Sequence, residues 1–93
     1  MSDEKIIITV SGSDKVGIVA SVSTILAQYK VNIEDIKQTL MQGHFVMFML
    51  CDIQKSTLNF KELKNVLIEE GNKMEVEIWV QKKGIFEKMH TIG

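Results

Sequence analysis

The sequence has a single cysteine, which excludes an internal disulfide and any cysteine-rich zinc site. No apolar run approaches the roughly 20 residues a bilayer-spanning helix needs. Neither sign of charge is in excess. Eleven basic residues (Lys+Arg 11) face 12 acids, for a formal net charge of -1, so long-range attraction to nucleic acid or anionic lipid is absent. Nucleic-acid binding through a sheet also needs exposed aromatics in a basic surround. Here Phe45 and Phe48 point to opposite faces of one strand, and Lys5, Lys82, Lys83 and Lys88 are dispersed among acids. Neither nucleic acid nor membrane is expected as a partner. The acidic start, Met1-Ser2-Asp3-Glu4-Lys5, does not resemble a secretory signal, and a cytoplasmic location is expected.

Ninety-three residues allow one small domain, residues 1–93, with a core over about 5–80 and a tail over 81–93. Ile6, Ile7, Ile8 and Val10 read as a central strand, apolar on both faces. Ile18, Val19, Val22, Ile25, Leu26 and Tyr29 recur at helical spacing, and the helix should end near Tyr29 or Lys30. A second strand runs from Val31-Asn32-Ile33 to about Met41, Gln42-Gly43 forms a tight turn, and His44 to Asp52 is a third strand. A second helix starts between Ser56 and Phe60, capped by Asn59 with Glu62 or by Thr57, and Gly71 is its expected stop. Met74, Val76, Ile78 and Val80 then alternate with polar residues in a fourth strand. The order βαββαβ predicts an α+β, ferredoxin-like antiparallel four-stranded sheet with two helices on one face.

Such a fold leaves one sheet face open, yet strands one and three are apolar on both sides. An apolar patch of that size calls for a cover: a partner subunit, a ligand, or the tail. Ile85, Phe86 and Met89 fall at short-helix spacing, so the tail is suited to folding across an exposed edge or docking on a neighbour. A homo-oligomer, dimer or higher, is expected.

The most compact place for function is Ser11-Gly12-Ser13-Asp14-Lys15-Val16-Gly17-Ile18-Val19, where a strand passes through a short glycine-containing loop into a helix. Such junctions gather backbone N–H groups around a helix N-terminus. The loop lacks the lysine–hydroxyl ending of a P-loop and the length of a dinucleotide fingerprint. Asp14 also opposes a bare, highly charged anion.

The segments Asp14-Lys15-Val16-Gly17-Ile18-Val19-Ala20 and Val31-Asn32-Ile33-Glu34-Asp35-Ile36 resemble the ACT domain, and the resemblance extends from about Lys5 to Val80. With the tail Ile85-Phe86-Glu87-Lys88-Met89-His90, the chain is similar to the small stand-alone ACT proteins of bacteria and archaea, related to the glycine cleavage system transcriptional repressor. The resemblance implies a ferredoxin-like regulatory domain that binds small ligands, commonly amino acids. It also implies side-by-side association, with effectors held between the first loop of one subunit and a neighbour. The chain departs from many ACT domains in carrying Lys15-Val16 where they have an arginine–proline pair.

Each candidate residue has a structural and a functional reading. Gly17 either avoids crowding the sheet or neighbouring loop, or lets a carboxylate reach the N–H groups of Val16, Gly17 and Ile18. Gly12 either ends strand one or joins that site. Asp14 is an N-cap, or a cap that also meets the ammonium of a bound amino acid. Asn32 either turns the chain into strand two or bonds the loop or an effector across an interface. Ser11, Ser13 and Lys15 are loop residues that can add donors or a cation. The candidate ligand site therefore comprises Gly12, Ser13, Asp14, Lys15, Val16, Gly17, Ile18, Asn32 and Ile33.

No catalytic residue, cofactor or metal is assigned. His44 and His90 have no companion acid or cysteine at ligand spacing, and Cys51 reads as a small buried hydrophobe. The expected function is non-catalytic regulation through an amino acid or other small carboxylate, bound at the first loop near a subunit interface. The alternative is a pure protein–protein interaction module without a ligand, and a small enzyme ranks third.

Overall fold

The computed structural model describes residues 4–13 and 16–90, the last two by their backbone alone. The elements are β1 (Lys5–Ser13), α1 (Ile18–Gln28), β2 (Asn32–Met41), β3 (His44–Asp52), α2 (Phe60–Met74), β4 (Glu77–Lys82) and α3 (Lys83–His90). The strands form one sheet in the order β2-β3-β1-β4, with every neighbouring pair antiparallel. This is the ferredoxin-like arrangement expected from the sequence, with a short helix added at its end.

Strand alternation sets the core. Ile6, Ile8 and Val10 of β1 are buried, and in register with them lie Cys51, Met49 and Met47 of β3. Val80 and Ile78 of β4 flank Ile8 and Val10 on the other side. Two helices close over these rows. Ile18, Val22 and Leu26 of α1 recur every four residues, as do Leu63, Leu67 and Gly71 of α2, so each helix presents one stripe to the sheet. Asn59 rather than Thr57 caps α2. Its carboxamide accepts from the Glu62 N–H at 2.8 Å, while the Glu62 carboxylate accepts from the Asn59 N–H at 3.0 Å. The β2–β3 turn places both Gln42 and Gly43 at positive φ, 52° and 83°, as two-residue hairpins prefer.

The end of α2 differs from the sequence expectation. Gly71 does not stop the helix, which continues to Met74 and is capped by Glu75 in the left-handed region at φ 60°. Gly71 is instead a close-approach residue inside the helix. A Cβ there would lie 2.9 Å from Ile78 Cγ1 and 3.0 Å from the Val76 carbonyl oxygen. The Val76 N–H donates to the Gly71 carbonyl at 2.9 Å as the chain doubles back. Met74, Glu75 and Val76 are thereby used by the reversal, and the strand begins only at Glu77. Gly12 likewise does not end its strand, because β1 continues to Ser13. A Cβ on Gly12 would lie 2.8 Å from Val76 Cγ1, so both glycines make room for the same turn.

The face away from α1 and α2 carries Ile7, Val46, Phe48, Leu50 and Trp79. The tail folds onto this face in its own chain. Helix α3 packs against β1 and β4, and the Phe86 ring meets Phe48 edge-on at 6.2 Å between centroids. The cover is partial, since Phe48, Trp79 and Ile85 remain exposed. No helix among the described residues is long and apolar enough to cross a membrane.

Two outcomes follow from this packing. Alanine exceeds glycine in helix propensity by about 1 kcal/mol, but at position 71 overpacking costs about 1–3 kcal/mol. Gly71→Ala is therefore expected to lower the urea midpoint. Burial in the core, aided by Glu34, raises the Cys51 thiol from 9.0 to about 12. The folded state then keeps its proton where the unfolded state releases it, so this contribution is intact below pH 9 and lost progressively above it. Urea titrations across that range should show a steeper loss of stability in the wild type than in Cys51→Val.

Candidate ligand site at the first loop

The junction between β1 and α1 lies at one end of the central strand. Ser13 is exposed and in register with His44. Asp14 and Lys15 lie outside the described residues. Val16 is wholly exposed, and Gly17 is the N-cap of α1 at φ 91°, ψ 0°. Asp14 is therefore not the residue at the N-cap, contrary to the sequence expectation. A cap without a side chain gives the helix no capping hydrogen bond, and its first turn contains no acid. The first helical bond runs from the Ser21 N–H to the Gly17 carbonyl at 2.8 Å. The N–H groups of Ile18, Val19 and Ala20 come before it and have no partner within the helix.

Crowding does not explain Gly17, because a Cβ there would meet nothing within 4 Å. The requirement is conformational: L side chains are strained at this φ. Glycine thus turns the chain sharply into the helix and puts no side chain of its own before the first turn. The side chain of Ile18 is buried beneath the helix, so only its backbone faces the loop.

The remaining two candidates are not brought to this loop. Asn32 is in register with Asp52, which is in register with Lys5, at the end of the sheet opposite Ser13. Eight strand steps of about 3.3 Å separate the two ends, roughly 26 Å. Asn32 is exposed and lines a polar cleft of about 420 Å³ with Lys30, Asp52, Gln54 and Lys55. Ile33 is half-buried against the core beside it. Within one chain the predicted site is therefore divided between two ends of the sheet.

Sequence reading missed what His44 does. Its Nε2 lies 3.1 Å from Ser11 Oγ, and Glu77 is in register with Ser11 on the other side. The hairpin at Gln42-Gly43 sets His44 against Met41, and only the register of β1 with β3 brings it opposite Ser13, diagonal to Ser11. These groups form a small polar area beside the loop. Among the described residues, no group of three His, Cys, Asp or Glu side chains is placed to hold a metal.

The ACT domain family model matches residues 4–81, which take in β1, α1, β2, β3, α2 and all but the last residue of β4. The chain belongs to the ACT domain family. The UPF0237 protein of Clostridium acetobutylicum is 51% identical over 88 residues, covering 95% of this chain and 99% of the relative. An ACT domain protein from Streptococcus pneumoniae superposes with a TM-score of 0.79 at 38% identity, covering 92% of this chain and 97% of that one. A formyltetrahydrofolate deformylase from Pseudomonas syringae has a TM-score of 0.77 at 18% identity, and this chain covers only 26% of it, so that likeness concerns the fold alone. ACT domains are typically regulatory modules that bind small molecules.

The positive φ at position 17 gives a direct test. Gly17→Ala should cost about 1–2 kcal/mol in urea unfolding despite the open space around its Cβ. Gly17→Asn should cost less, since asparagine tolerates the left-handed region better.

Proposed function

We propose that the protein is a non-catalytic, cytoplasmic regulatory module that binds an amino acid or similar small carboxylate at the β1–α1 loop. The observation that carries this reading is the N-terminus of α1, capped by a glycine with no side-chain hydrogen bond. Gly17 contributes no side chain to it, and the first-turn N–H groups point toward the loop with no acid among the first-turn residues. A carboxylate placed there satisfies N–H groups that have no partner within the helix, and it meets the positive end of the helix dipole.

In the proposed assembly a second copy completes the site. Strand β2 is an edge of the sheet and leaves Ile36, Leu40 and Met41 exposed. An edge strand ten residues long presents a row of backbone N–H and C=O groups on its outer side, a template for pairing. If two copies pair antiparallel along β2 about a twofold axis, the Asn32 end of one strand lies beside the Met41 end of the other. Met41 is in register with His44, and His44 with Ser13, so that end is the loop end. The arrangement would reunite the two halves of the site across an interface, with the Asn32 amide offered to a ligand on the partner's loop. Binding then stabilises the pair by mass action, which gives a metabolite control over assembly.

Titration calorimetry against the proteinogenic amino acids and small dicarboxylates tests this function. Saturable heat with at least one of them is expected, and no heat at millimolar ligand would leave the pure interaction module as the better account. Sedimentation velocity supplies the second arm. The double substitution Leu40→Glu, Met41→Glu should shift the protein toward monomer and weaken the ligand at least about tenfold, equivalent to ~1.4 kcal/mol.

A further inference from the structure

Far from the β2 edge, a cleft of about 520 Å³ runs along β4 at the other edge of the sheet. It wraps the edge strand: Thr9, Phe48, Trp79 and Phe86 wall it on the open face, and Lys64 and Ile68 of α2 wall it on the helix side. Phe86 and Phe48 are set edge-to-face, 63° apart in plane. Trp79 stands 48% exposed beside Thr9, its register partner, so a large ring surface faces water. Among the described residues, Lys64 is the one charged side chain lining the cleft. Among the described residues no carboxylate is paired with its ammonium.

We propose that this cleft is a second ligand site, which takes a small aromatic anion: rings against Trp79 and Phe86, and the negative group toward Lys64. Its volume falls in the range that holds small organic ligands, about 300–1,000 Å³. Three aromatic side chains around one cleft favour a flat, apolar ligand over a compact polar one, through offset and edge-on ring contacts. A neutral arene would satisfy the rings but leave Lys64 unused. A cationic arene would meet repulsion, with no carboxylate among the described lining residues to offset it. An anion is the charge state the cleft selects. The site stands apart from the first loop, and its occupancy is independent of what binds there.

Trp79 is the sole tryptophan, so its emission reports the cleft directly. The experiment titrates the folded full chain with two probes sharing one ring system. They are 1-anilinonaphthalene-8-sulfonate, which is anionic, and N-phenyl-1-naphthylamine, which lacks the sulfonate. Saturable energy transfer from Trp79 is expected with the sulfonate. Lys64→Gln should weaken the sulfonate about three- to fivefold, as a partly exposed ion pair does, and leave the neutral probe unchanged. Gly17→Ala should alter neither. The proposal is overturned if the sulfonate gives no saturable transfer, or if Lys64→Gln moves both probes equally or neither. It is also overturned if Trp79 emission shifts on dilution without probe while the sulfonate fails to compete, since a second copy then fills the cleft. Failure here with a positive amino-acid titration leaves the loop site standing, and the converse result does the same for the cleft.

Discussion

The structure depends on the double pairing of β1. Its hydrogen bonds to β3 and β4 hold three strands in the register that aligns Ile6, Ile8 and Val10 with Met47, Met49, Cys51, Ile78 and Val80 in one apolar layer. Every element of the candidate site is placed relative to this strand. Its last residue leads into the first loop, and its far end is bordered by Lys5, whose ammonium is 2.6 Å from the Glu34 carboxylate of β2. Loosening β1 would move both halves of the candidate site at once.

The reversal after α2 serves the same strand. Gly71 and Gly12 both give space to the turn through Val76, so the return of β4 to the β1 edge depends on two residues without side chains. Gly17 has a different role: it needs the left-handed backbone and has room to spare. One composition signal, glycine, thus reports two physical causes. One is close packing, and the other is a conformation that opens a helix end.

This difference explains what could be read from the sequence. Alternation in β1 and β3 and the four-residue stripes of the helices gave the fold, because burial imposes those periods directly. The Asn59–Glu62 box was legible because its hydrogen bonds are local. Gly71 was misread because its reason lies in Ile78 and Val76, contacts that form only after the chain has turned back. The position of Asn32 was equally hidden. Its strand neighbours identify it as a β2 opener, but its distance from the loop follows from the register through β3. The pairing of His44 with Ser11 needed the same register. What the sequence conveyed poorly were relations between elements, and the candidate site is made of such relations.

The central claim is that a small carboxylate engages the N-terminus of α1 together with Asn32 of a second copy. Amide chemical-shift mapping on isotope-labelled protein, during titration with the amino acid that gives heat, tests it most directly. The account predicts concerted shifts at Val16–Ala20 and at Asn32–Ile33, two regions roughly 26 Å apart within one chain. Shifts confined to other parts of the molecule, or no shifts at the first turn of α1, would contradict it.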